Sequence, residues 1–344
     1  MFIAGMMGVP DFVVLFLSQP LPQLLLAQSS FYWLYLASAA VLAICVCWHR
    51  ADPGPGRLLR AMDHVFDARI FWHRSARADY ATILINNVVA LGALAIGIAS
   101  SASLAQKFSD CLTAGFGTSP GWHTSLAANA LFTLIIAMSL DFANFAFHWL
   151  QHRSPYLWEL HKVHHSAEVL TPLTALRVHP ITALLGAQFI ALVMALPSGA
   201  FLYLFEGSAE PLDVLGINAV MFVYHTFLGS HLAHSHVWMM LPRGVREIFC
   251  SPALHLIHHS SNPRHVGRNL GFTFTIWDRL AGTFYQPQDA ERHGLVLGLA
   301  PADMADLQTP WQLCWTPLRK IARRLGLRKG TAQTLANGVR TSQS

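Results

Sequence analysis

Charge is what this chain has least of. Of its 344 residues only 12% are Asp, Glu, Lys or Arg, about half the usual share in soluble domains. Mean hydropathy is +0.39 and 53% of residues are hydrophobic. A polar-surfaced globular protein and a disordered chain are both excluded on this balance. Thiol chemistry is equally thin. The five cysteines (Cys45, Cys47, Cys111, Cys250 and Cys314) are odd in number and form no CxxC pair. A disulfide framework, a Cys-based zinc site and an iron–sulfur cluster therefore lack support. There is no P-loop and no HExxH, and the stretch from Gly115 to Gly121 lacks the spacing of a dinucleotide fingerprint. The opening residues, MFIAGMMGVPDF, hold no basic stretch, so no cleaved signal peptide is expected. Net charge is a modest +5, with no basic helix interleaved with aromatics, which argues against nucleic acid as a partner.

Long apolar runs are what the chain has instead. Phe31 to Trp48 is 18 residues without a charge, roughly 27 Å as a helix and close to a bilayer core. Similar runs occupy Tyr80 to Ser101, Leu126 to Phe147 (interrupted by Asp141), Ile181 to Phe205 and Leu212 to Ser230. The segment Phe12 to Gln28 contains Pro20 and Pro22 and reads as an interfacial or re-entrant piece. Five spans predict an all-α, polytopic membrane helical bundle. Basic residues set its orientation. Of the 23 Lys and Arg, all but Lys107 fall in 49–79, in 148–180 or after 235. Alternate loops are thus basic, which predicts an outside amino terminus and a cytosolic carboxyl terminus.

The second surplus is histidine, 19 residues against 18 Asp plus Glu. Eleven fall in four tight groups: His148 and His152; His161, His164 and His165; His231, His234 and His236; His255, His258 and His259. All four lie on the cytosolic side of a topology drawn from Lys and Arg alone. Residues at i, i+3 and i+4 share a helix face, so the first pair and the two HxxHH triplets can each aim at one point. Eight imidazoles exceed what one metal needs, and two metal ions are the natural reading. Imidazole suits Zn, Cu, Fe and Ni. In the third group His234 is the first candidate ligand and His231 the next. His179, before Pro180, is a further candidate for ligation or support. Asp141 sits seven residues before His148 and is expected to accept the second ring N–H of a ligand histidine. A histidine-rich metal transporter would need such groups along the spans. A b-type haem carrier would need only two to four of them.

The run from Asp141 to about Tyr285 resembles the fatty acid hydroxylase/sterol desaturase superfamily of integral membrane di-iron proteins. The likeness rests on Asp141-Phe142, His148-x-x-x-His152-Arg153, Leu157-Trp158 and His161-Lys162-Val163-His164-His165-Ser166. It continues through Leu176-Arg177-Val178-His179-Pro180, Ser251-Pro252 and His255-x-x-His258-His259. It closes with Asn269-Leu270-Gly271, Trp277-Asp278-Arg279-Leu280 and Gly282-Thr283. The resemblance implies two non-haem irons held by the eight box histidines, with O₂ as co-substrate and hydroxylation or desaturation of an unactivated lipid C–H. His179 and His234 would be the further histidines the family often adds, and Asn269 and Asp278 would support the ligands from behind. With no flavin, nicotinamide, haem-attachment or Cys-cluster motif, a separate electron-donor protein is implied, and the lipid substrate would come from the bilayer.

Three regions are expected: 1–125 with two spans and the interfacial piece, 126–288 with three spans and the histidine boxes in a cytosolic-face helical cap, and 289–344 as a basic cytosolic tail. Within that tail Arg319 to Lys329 reads as an interfacial helix, and the polar residues at the end read as disordered.

Overall fold

The computed structural model describes residues 32–95, 101–206 and 210–327. The segment Phe12 to Gln28, part of the run Tyr80 to Ser101, and the polar C-terminal residues lie outside the described residues. Eleven helices matter here: α1 Trp33–Arg50, α2 Arg57–Val65, α3 Arg74–Ala95, α4 Ser101–Phe116, α5 Leu126–Arg153, α6 Pro155–His165, α7 Pro180–Leu204, α8 Ala219–Phe227, α9 Pro252–His258, α10 Ile276–Ala281 and α11 Pro310–Arg324. Helix is the fold, and among the described residues strand is confined to two short pairs. β1 Trp122–His123 runs parallel to β2 Phe205–Glu206, and β3 Asp213–Val214 pairs antiparallel with β4 Ile217–Asn218.

Three helices are long and apolar enough to cross a membrane among the described residues: α1, α5 and α7. Their buried faces are mostly small or polar. On α1, Tyr35, Ala39 and Ala43 are buried while Val41 and Trp48 are exposed. On α5 one stripe holds Thr133, Ala137, Asp141, His148 and Gln151, all buried, and the far side exposes Leu131, Leu134 and Phe142. Close approach on α7 needs glycine. A Cβ on Gly199 would stand 2.5 Å from the Ala105 carbonyl oxygen of α4, and one on Gly186 would stand 3.0 Å from the Phe147 ring of α5.

The expected fifth span is not a spanning helix. Its run, Leu212 to Ser230, divides into the β3–β4 hairpin and α8, which has nine residues, roughly 13 Å against a bilayer core of about 30 Å. Hydropathy alone passes over the turn chemistry inside it. Leu215 and Gly216 both take positive φ (57° and 76°) at the centre of a two-residue hairpin. Asn218 then caps α8 by accepting from the Val220 N–H at 3.1 Å. The hairpin hangs on Thr133, whose Oγ1 accepts from the Leu212 N–H at 2.7 Å and whose carbonyl accepts from the Asn218 amide at 2.8 Å. Thr133 is seven residues into α5, so the hairpin reaches roughly 10 Å into the bundle.

The segments bearing the box histidines and His234 meet at one end of the bundle, where α6, α9, α10 and α11 form a cap. Ser154 is at once the C-cap of α5 and the N-cap of α6, with Pro155 at the first helical position. The chain therefore turns from one helix into the next through one residue. The cap is bolted to the bundle by Arg177, which is almost wholly buried. Its guanidinium donates to Asp79 Oδ1 (2.9 Å) and the Ser75 carbonyl (3.0 Å) at the start of α3. It also donates to the Val163 carbonyl (2.9 Å) and Ser166 Oγ (2.7 Å) at the end of α6. A cation there also meets the negative end of the α6 dipole. A second network joins α6 to α11: buried Glu159 accepts from Lys162 (3.2 Å) and Arg324 (2.8 Å), and Lys162 also pairs with Asp303 (3.0 Å).

Removing one partner of a buried ion pair strands the other charge and costs about 3–5 kcal/mol. Arg177→Met is expected to lower stability by about that amount, and Arg177→Met combined with Asp79→Leu by distinctly less. Thermal unfolding of the purified protein in detergent measures both.

Candidate metal centre

The structure gathers nine histidines into two sets. In the first, the ring nitrogens of His148, His152, His161, His165 and His258 lie within 4.8 Å of one another; in the second, those of His164, His234, His255 and His259 do. The two HxxHH triplets are shared between the sets. On α6, His161 and His165, four apart, serve the first set, while His164 leans across to the second. On α9 the pattern is reversed: His255 and His259 serve the second set, and His258 the first. The α5 pair completes the first set and His234 the second. The sequence reading aimed each triplet at a single point. The structure instead uses helix geometry: positions i and i+4 lie only about 40° apart and serve one set, whereas i+3 lies about 100° from i+4 and reaches the other.

Nε2 atoms converge within each set. His148 and His161 approach at 3.0 Å, and His165 stands 3.2 Å from both His152 and His161. In the second set His234 lies 3.1 Å from His164 and 2.8 Å from His255, and His255 lies 3.1 Å from His259. A metal–imidazole bond of about 2.1 Å places two ligands at right angles roughly 3.0 Å apart. These separations fit donor atoms around an ion.

The tautomers agree. His148 Nδ1–H donates to the Leu270 carbonyl and His258 Nδ1–H to the Arg268 carbonyl, both at 2.8 Å. Each Nε2 then presents a lone pair inward. That of His258 is buried with no hydrogen-bond partner, an orphan that a metal would satisfy. Burial first, and neighbouring imidazoles second, hold His161, His164, His165, His255, His258 and His259 well below the ordinary histidine range; His234 is brought down to about 3. All seven are neutral at physiological pH, the form that binds metal.

The carbonyls of Arg268 and Leu270 belong to a loop that two buried carboxylates hold. Asp278 accepts from the Leu270 N–H and the Gly271 N–H at 2.8 Å and from Thr283 Oγ1 at 2.6 Å. Asp141 accepts from the Thr273 N–H (2.8 Å), the Phe274 N–H (2.9 Å) and the Trp277 indole (2.9 Å). Asn269, between the two carbonyls, takes a left-handed φ of 54°. Its side chain donates to the Leu254 carbonyl at 3.2 Å and accepts from the Tyr285 N–H at 2.8 Å. Asp141 was expected to touch a histidine ring directly. It instead fixes the backbone beside one, because its depth on α5 is level with residues 273–277 rather than with the rings.

Two sequence candidates stand outside both sets. His179 has both ring nitrogens engaged with backbone: Nδ1 accepts from the Ile181 N–H at 3.2 Å as the cap of α7, and Nε2–H donates to the Cys314 carbonyl at 3.0 Å. His231 stacks on Tyr35 at 6.0 Å and lies 3.2 Å from Ser230 Oγ, which also meets His225 at 2.8 Å. His236 is held by the His64 carbonyl at 2.8 Å. Sequence reasoning quoted Trp158 in a motif but gave it no place at the site; its ring lies 5.0 Å from His152 and 5.4 Å from His165. The same reasoning passed over the supporting carbonyls, which no side-chain identity betrays.

A cavity of about 630 Å³ lies against both sets, between α5, α7 and α8. That volume is ample for a small-molecule site. Its wall includes His148, His161, His164, His234 and His255 at one end, and Leu140, Ile190 and Met221 deeper in the bundle.

Comparison with known proteins gives a consistent picture. Residues 133–283 match the model of the fatty acid hydroxylase family. The chain is 32% identical over 157 residues to alkylglycerol monooxygenase of Caenorhabditis elegans, covering 44% of this chain and 26% of that protein. It is 34% identical over 163 residues to ornithine lipid hydroxylase OlsE of Rhizobium tropici, covering 47% and 43%. Human alkylglycerol monooxygenase is 26% identical over 163 residues, covering 47% and 32%. The matched stretch thus spans between about a quarter and under half the length of these relatives. No solved structure matches significantly.

Two outcomes are expected. In the metal-free protein these imidazoles have folded-state values below their unfolded value of about 6.5. The unfolded chain therefore binds more protons on acidification. Their share of stability is complete above pH 6.5 and is lost as pH falls toward about 3, the value for His234. Unfolding temperature of metal-free protein should fall across that window, and a flat profile would contradict neutral, buried rings. Separately, Asp278→Ala should weaken metal affinity about 10–100-fold without touching a ligand, as read by competition with a chelator.

Proposed function

We propose that this membrane protein, whose residues 133–283 match the fatty acid hydroxylase model, is a di-iron oxygenase of the fatty acid hydroxylase/sterol desaturase superfamily that hydroxylates an unactivated lipid C–H. The observation that carries the reading is two sets of neutral imidazoles at the wall of a largely apolar cavity. His148, His152, His161, His165 and His258 would hold one iron, and His164, His234, His255 and His259 the other. Irons so held supply O₂ activation. One oxygen atom enters the C–H bond and the other leaves as water, with two electrons and two protons consumed. The named relatives, a monooxygenase and a hydroxylase, favour hydroxylation over desaturation.

The chain's own part is positional. Arg177, Asp141 and Asp278 keep the cap and its loop against the bundle, so the rings meet without rearrangement. Leu140, Phe147, Ile190 and Met221 line the approach with apolar surface and keep water from the reacting carbon. The substrate enters from the bilayer, and a separate protein on the cytosolic side, where the basic loops lie, delivers the electrons. The transporter reading needs ligands strung across the bundle, yet both sets lie at one end. The haem reading needs two to four histidines on facing helices rather than nine convergent rings.

Metal analysis of purified protein should find about two irons per chain. His148→Ala and His258→Ala should each lose iron and O₂-dependent lipid hydroxylation together. Variants that kept both irons and full activity would sink the proposal.

A further inference from the structure

The cavity is mostly apolar, with Asn144 a polar exception among its deeper residues, but less so beside the histidines. Gln151 and Thr182 both line it there. Gln151 is 5% exposed and Thr182 3%. Thr182 Oγ1 is buried with no hydrogen-bond partner. Unpaired buried polar groups are rare in folded proteins and point to something missing from the site.

The two share one level of the bundle. Helices α5 and α7 run antiparallel and touch where Phe147 meets Gly186. One turn further toward the cap, four residues along each helix, brings Gln151 and Thr182 to the same height. Gln151 is also three residues after His148, which on a helix sets their Cβ atoms about 5–6 Å apart. Among the described residues lining the cavity, none is Asp, Glu, Lys or Arg. A carboxylate or phosphate entering it would bury a charge with no side-chain counter-ion, whereas an uncharged oxygen would meet an amide and a hydroxyl.

We propose that Gln151 and Thr182 form a hydrogen-bonding subsite for the uncharged polar group of a lipid (a hydroxyl, ether or amide), and that this grip fixes which carbon is oxidised. The tail then runs past Phe147 toward Leu140 and Ile190, Leu140 being eight residues or roughly 12 Å of helix deeper than His148. With its polar group held one turn from the rings, the lipid offers them a carbon only a few bonds from that group, not one far down the tail. The inference rests on the oxygenase reading for the reaction, but not for the binding.

The test uses three probes of equal chain length: an O-alkylglycerol, a free fatty acid and an n-alkane. Binding to the metal-free protein is measured by equilibrium dialysis in detergent. Hydroxyl position is then read by mass spectrometry on the iron-loaded protein supplied with a reductant. The wild type should bind the alkylglycerol about ten-fold or more tighter than either other probe. Gln151→Leu and Thr182→Val should each weaken that binding about three- to ten-fold, leave the alkane unaffected and scatter the hydroxyl along the chain. Thr182→Ser, which keeps the hydroxyl, should behave as the wild type. Equal binding of alkylglycerol and alkane, unaltered binding in both apolar variants, or hydroxylation deep in the wild-type tail would overturn the proposal. Preserved binding selectivity with no oxidation by the wild type would support the subsite and overturn the oxygenase reading instead.

Discussion

Nine imidazoles with converging nitrogens, eight buried and His152 half-buried, are the constraint around which the rest of the molecule is arranged. Left alone, such a set is unfavourable: the rings have given up water, and several lone pairs face one another without donors. Two demands follow. The rings must be held together by groups other than themselves, and something must be bound between them. The first demand accounts for the density of polar anchoring in a chain otherwise so poor in charge.

That anchoring is mostly indirect. Asp141 and Asp278 touch no histidine. They accept from five hydrogen-bond donors of residues 270–277, besides the Thr283 hydroxyl, and so position the backbone whose carbonyls orient His148 and His258. Arg177 works the same way from the opposite side, joining the end of α6 to the start of α3. In each case a scarce charged side chain organises main chain, and main chain organises the rings. Such an arrangement keeps the charges themselves away from the cavity.

Much of this was legible in the sequence, and the reasons differ by element. The box histidines announce themselves through helical spacing, which depends only on local geometry. Their division between two sets does not, because it turns on how α6 and α9 face each other across the cap. His234, His231 and His179 are alike in sequence, and only packing separates a ring that reaches the second set from one stacked on Tyr35 and one consumed as a helix cap. The membrane helices α1, α5 and α7 follow from length and hydropathy. The run from Leu212 to Ser230 has the same hydropathy but hides a Leu-Gly turn and an Asn cap. Gln151 and Thr182 are unremarkable letters whose meaning comes only from the cavity between their helices.

The corner at Ser154 carries a last consequence. One residue ends α5 and begins α6, with Pro155 fixing the direction of departure. There is no slack between the His148/His152 pair and the histidines of α6. Each residue of an α-helix turns the chain by about 100°. Adding or deleting a single residue between His152 and His161 would therefore swing all three α6 rings off both sets at once, while leaving every histidine in place in the sequence order and hydropathy almost unchanged. In descendants of this gene, substitution has room to act along these helices, but length across this corner has none.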